Sequence, residues 1–134
     1  MKWNIMLALL LACGTAQAAD WVQTGYGGNT RYFVDISSVK IVGTHRRVWG
    51  KAVFDPHSEL NSFYPGRIVA SQLEFTEYDC KNDAFRVTAM TLNFEDGGAV
   101  TVEPYRIAQN SWAPIPPDSM VDSSAGFICA WKPK

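Results

Sequence analysis

Histidine, cysteine and charge are all scarce in this 134-residue chain, and each shortage removes a class of function. There are two histidines, His45 and His57. Only His57 stands beside a carboxylate, Asp55, whereas protein zinc sites take three or four ligands, so no metal site is expected. The cysteines number three, Cys13, Cys80 and Cys129. None sits in a C-x-x-C pair or close to a histidine, which argues against a redox motif or an activated thiol. Charged residues make up 19% of the chain and the formal net charge is −1. That balance lacks the strongly basic footprint of a nucleic-acid-binding protein. G-x-S-x-G, P-loop and Rossmann signatures are missing, as are internal repeats and low-complexity tracts. No catalytic residue and no cofactor is expected.

Long apolar runs are missing too. The most apolar stretch, residues 5–12, is too short to cross a bilayer as a helix. With Lys2 before it and Ala16-Gln17-Ala18 after it, the segment reads as a secretory signal peptide over residues 1–18. One domain of residues 19–134 then remains. Leu10-Leu11-Ala12-Cys13 also resembles a bacterial lipoprotein box, which would make Cys13 a lipidated N-terminus and the chain's one route to membrane anchoring. Cleavage after Ala18 is favoured, because a lipid on Cys13 would leave a tether of seven residues before Trp21.

What the chain does have is apolar and aromatic content, 47% and 13%, enough for a small core. Leu73-Glu74-Phe75-Thr76-Glu77-Tyr78-Asp79-Cys80 alternates as a strand does and ends at a turn, Lys81-Asn82-Asp83. In an oxidising compartment Cys80 is expected to pair with Cys129; two unpaired buried thiols are the alternative. Closing a loop of about 50 residues would contribute about 4 kcal/mol in the chain-entropy model.

Further strands are expected at 21–26 and 30–35 around a Gly/Asn turn, at 45–54, at 67–79, at 84–93 and at 99–105. Asp35-Ile36-Ser37-Ser38 fits a single capped helical turn. Residues 55–66 read as a loop. After Pro117, Asp118 or Ser119 caps a helix whose apolar face holds Val121, Ala125, Ile128 and Cys129. The tail from Trp131 to Lys134 is expected to fray.

Candidate chemistry is thin. Glu74, Glu77, Asp79 and Asp83 form an acidic set, and Glu77 and Asp79 share a strand face. A glycosidase needs two carboxylates about 5–10 Å apart in a cleft, but nothing else in the sequence points to a cleft. His45-Arg46-Arg47 with Lys40 and Lys51 is the one basic cluster, suited to an acidic partner. Alternation puts Arg47 and Lys51 on one face and Arg46 on the other. Charged strand residues also serve simply to keep edges from pairing. Phe63 and Tyr64 in the loop and Trp131 in the tail are the aromatics expected to contact a partner; large side chains filling a thin core are the plainer account of the rest.

Taken in order, Ala19-Asp20-Trp21-Val22, Tyr32-Phe33-Val34-Asp35 with Ser37-Ser38, Arg47-Val48-Trp49, Glu77-Tyr78-Asp79-Cys80, Trp112 with Ile115-Pro116-Pro117-Asp118-Ser119, and Cys129 resemble the surface-adhesin protein E family of Gram-negative bacteria. The resemblance spans Trp21 to Cys129. It implies an α+β fold: a curved antiparallel sheet of about six strands with a C-terminal helix disulfide-tied to one face. It also implies dimerisation through the sheet. The family's namesake is a lipidated outer-membrane adhesin for host proteins such as vitronectin, laminin and plasminogen. The function it implies is non-catalytic binding of host matrix or serum proteins, at the outer-membrane surface or in the periplasm. The candidate contacts are then Arg46, Arg47, Lys51, Phe63 and Tyr64. A periplasmic accessory or assembly protein without a host ligand is the alternative. The longer loop at 55–66 and the Trp131–Lys134 extension depart from the family pattern.

Overall fold

Alternating apolar residues need one wet and one dry face, and the strands supply them in a single antiparallel sheet. The computed structural model describes residues 18–58 and 64–134. Residues 1–17, with Cys13, and Phe63 lie outside the described residues. Strands run at Trp21–Gly27 (β1), Thr30–Asp35 (β2), Lys40–Val42 (β3), His45–Ser58 (β4), Val69–Asp79 (β5), Ala84–Phe94 (β6), Ala99–Thr101 (β7) and Ala113–Pro114 (β8). One α-helix, Met120–Ala130 (α1), follows. The sheet order is β1-β2-β4-β5-β6-β7, with β3 extending β2's edge along β4 and β8 pairing with the start of β6. The six strands of that path match the expected number. No helix among the described residues is long and apolar enough to cross a membrane.

Local chemistry sets the connections. Gly28, at φ +58°, makes the tight β1–β2 turn, a backbone region that costs glycine little. Asp35 accepts from Ser37 N at 3.0 Å and caps a 3-10 turn over Ile36–Ser38, as its sequence suggested. Asp79 closes the β5–β6 turn by accepting from Lys81 N, Asn82 N and the Asn82 amide.

Two boundaries differ from expectation by four residues. β4 continues to Ser58 instead of ending at Phe54. Asp55 N bonds Asn29 O at 2.7 Å, and Ser58 pairs with Val69 after a break in register that starts at Val53. Pro56 falls inside that break, where its missing N–H costs no ladder bond. β7 stops at Thr101, because Pro104 opens a 3-10 turn over Pro104–Arg106. Trp131 is also held more firmly than a frayed tail: it is half-buried, and its N–H bonds Ile128 O at 3.2 Å.

The helix begins where Ser119 Oγ accepts from Asp122 N at 3.1 Å. It buries Ser124, Ala125 and Ile128 and is tied to β1 by a 2.8 Å hydroxyl bond between Ser124 and Thr24. Its dry face meets Tyr32, Val34, Val48, Ala52 and Tyr78. Ile128, Val34 and Val48 are wholly buried, and each contributes about 1.5–3 kcal/mol of hydrophobic stabilisation. The Cys80–Cys129 disulfide, with Cα atoms 5.7 Å apart, joins the end of α1 to the end of β5. A second cluster of Val69, Val87, Leu92, Phe94, Val102 and Ile107 fills the far end of the same face. Among the described residues, both buried clusters lie on the helix-bearing side of the sheet.

Candidate functional site

The side of the sheet away from α1 holds the residues that alternation sends outward, and its register arranges them in rows. One row crosses Phe33, Lys51, Leu73, Thr91 and Thr101. The next holds Trp49, Phe75 and Ala89, and the one beyond it Arg47, Glu77 and Arg86. Lys51 Nζ lies 4.4 Å from the centre of the Trp21 ring and 5.5 Å from that of Phe33. An ammonium over aromatic faces is attracted by their quadrupoles. Trp49 packs against Phe75 at 5.1 Å and remains 37% exposed.

At one end of this face Glu77 is buried between two guanidiniums. Arg86 donates to its Oε2 at 3.1 Å, and Arg47 Nε lies 3.2 Å from its Oε1. Trp112 covers the group, with Arg86 4.8 Å from its ring centre and the His45 ring at 5.0 Å. His45 is in turn 3.4 Å from Asp79. The Asn82 amide, the backbone N–H groups of Asn82 and Lys81, and the nearby His45 together hold the Asp79 carboxyl below its usual range, against the opposing effect of desolvation. Both strand-face carboxylates therefore have structural partners: Glu77 holds two arginines, and Asp79 caps a turn.

The structure divides the sequence-predicted contacts. Arg47 and Lys51 stand together on the open face. Arg46 lies on the other face and folds back onto Gly43 O and His45 O. Tyr64 is half-buried and packs edge-on against Phe94, 5.9 Å between ring centres, at the second cluster. Its neighbour in the candidate set, Phe63, lies outside the described residues. The acidic set divides as well: Glu74 points to the helix-bearing face, away from Glu77 and Asp79. Sequence reasoning overlooked Trp21, Phe33 and Trp112 as parts of one surface. Period-two alternation within β2 and β4 brings Phe33 and Lys51 to one face, but the approach of Trp112 depends on a chain reversal no local pattern encodes. His57 binds Glu95 at 2.8 Å, and no group of metal-ligating residues occurs among the described residues.

The surface-adhesin protein E family model matches residues 21–130. No curated protein matches the chain. Among solved structures, crystal form II of Haemophilus influenzae protein E superposes with a TM-score of 0.61 at 18% identity, covering 90% of this chain and 94% of that one. A second structure of Haemophilus influenzae protein E gives 0.59 at 18% identity, covering 90% and 91%. Protein E from non-typeable Haemophilus influenzae gives 0.57 at 18% identity, covering 90% and 82%. At such identities the likeness is one of fold.

Proposed function

Because this chain belongs to the surface-adhesin protein E family, we propose that it is an exported, non-catalytic domain that binds host matrix or serum proteins through the open face of its sheet. The observation that carries the reading is the half-exposed array of Trp21, Phe33, Trp49, Phe75 and Lys51, flanked by Arg47 and Arg86. Aromatic residues and arginine are the side chains enriched at protein interfaces, and a few of them carry most of the binding energy. Mixed aromatic and cationic character suits a partner with acidic and apolar side chains. The residues bring no reactive pair to this face; their carboxylates are engaged in ion pairs and a turn.

The test is binding of immobilised serum and matrix proteins by the purified domain. Trp49→Ala combined with Lys51→Glu is expected to weaken capture by tenfold or more while the urea midpoint stays near that of the parent. Unchanged affinity would move the site off this face. A second copy of the chain is another occupant of the surface, and sedimentation of the same variant reports it.

Export itself rests on the signal peptide of residues 1–18. The intact mass of protein recovered from membrane and periplasmic fractions is expected to correspond to a chain starting at Ala19, two mass units below its reduced form. A diacyl or triacyl mass on Cys13 would replace that with an anchored lipoprotein at the envelope. A soluble periplasmic chain that no host protein captures would favour the accessory or assembly role.

A further inference from the structure

On the helix-bearing face, between the first turn of α1 and strands β2, β4, β5 and β6, lies a cleft of about 260 Å³. An apolar cavity of about 150 Å³ is enough to hold benzene, so this one has room for a small organic molecule. Its walls include the rings of Tyr32, Phe54, Tyr78 and Phe85, and Met120 and Val121 of α1 form part of its rim. Into these apolar walls the sheet places one carboxylate. The Tyr32 hydroxyl donates to Glu74 Oε2 at 3.2 Å, and the Gln72 amide donates to Oε1. Thr76 also lines the cleft, and its Oγ1 is buried without a hydrogen-bond partner. No lysine, arginine or histidine is among the described residues that line it.

A carboxylate held by two neutral donors among four aromatic rings, with no cation beside it, is half of an ion pair. Rings around a desolvated site attract organic ammonium ions, and a buried charge is stable when a counter-charge meets it. We propose that this cleft binds a small organic ammonium ion with an aliphatic or aromatic body, the cation lying between the Glu74 carboxylate and the rings of Tyr32, Phe54, Tyr78 and Phe85. The site is independent of the open face, because it lies on the opposite side of the sheet.

Burial pushes the Glu74 carboxyl above its usual range, against the lowering effect of its two hydrogen bonds. Tyr32 and Tyr78 are pushed up by burial and by the Glu74 charge and stay neutral. Among the described residues β4 and β6 contribute only Ala52, Phe54, Phe85 and Val87, and α1 only Met120 and Val121. Glu74 is the one carboxyl among the described residues that line the cleft, and affinity for a cation should rise with pH as it ionises.

Benzylammonium chloride and its neutral counterpart benzyl alcohol are the probes, added to the disulfide-intact domain and followed by NMR. Saturable shifts at Val87, Gln109, Met120 and Val121 are expected with benzylammonium, with benzyl alcohol at least tenfold weaker. Glu74→Gln, which keeps the shape, is expected to weaken benzylammonium tenfold or more, and Val121→Trp to block both probes. The Val121 variant keeps the test open if the Glu74 variant folds poorly. Equal binding of the two probes, shifts confined to Glu77 and Asp79, or no saturation at millimolar concentration would each overturn the proposal.

Discussion

Replacing Cys80 and Cys129 by serine, or reducing their bond, is expected to lower stability by about 4 kcal/mol, from the chain-entropy estimate for a loop of this length. The two residues are 49 positions apart, so the cross-link removes much of the freedom of the unfolded chain. For a domain of this size the loss corresponds to a fall in melting temperature of roughly 15–20 °C. Thermal and urea melts with and without a reductant measure it. Hydrogen exchange locates it, since α1 is held to the sheet by this bond, by Ile128 and Ala125 in the core, and by the Ser124–Thr24 hydroxyl pair. Amides of α1 should exchange faster after reduction than those of β4 and β5. A shift below about 5 °C would mean that packing alone holds the helix and that the reduced chain keeps residual order.

Gly50→Ala is the second large effect, expected at about 2–3 kcal/mol, toward the upper end of what overpacking a core costs. A methyl group at position 50 would collide with the Tyr32 hydroxyl and stand 2.9 Å from Cζ and 3.3 Å from Cε1 of the same ring. Tyr32 is itself 8% exposed and hydrogen-bonded to Glu74, so its ring can retreat only toward the cleft and at the cost of that bond. The collision predicts a specific coupling. Tyr32→Phe removes the atom that clashes most, so the double variant should be more stable than the sum of the single losses allows. Strictly additive urea midpoints would show that Tyr32 moves aside freely. A tight Gly50–Tyr32 contact also positions the hydroxyl that steadies Glu74, so the Gly50 variant should weaken benzylammonium in parallel.

Both effects bear on how much of the molecule was legible beforehand. The β1–β2 turn, the Asp35 cap and the β5–β6 turn each depend on a few adjacent residues and are readable as such, and the start of α1 is readable to within Asp118 or Ser119. The division of Arg46 from Arg47 and Lys51 followed from strand alternation alone. The role of Gly50 was not readable, because it depends on a tyrosine 18 positions earlier lying across the neighbouring strand. The end of β4 was misjudged for a related reason: Asp55 and Ser58 find partners at Asn29 and Val69, which no local pattern announces.

By itself, then, the amino-acid sequence determined the strands with their inward and outward faces, the C-terminal helix and the two cysteines available to tie it down. These follow from periodicity, capping and composition, which act over a few residues. Only the tertiary structure decided which outward residues share a surface. It gathered Trp21, Phe33 and Lys51 into one aromatic–cation array, laid Trp112 over Arg86 and His45, and made Glu74 the one carboxylate among the described residues that line a cleft. Those groupings depend on strand register and on where the chain returns, and both are set by long-range packing against α1 and the second cluster, which no short window of sequence contains.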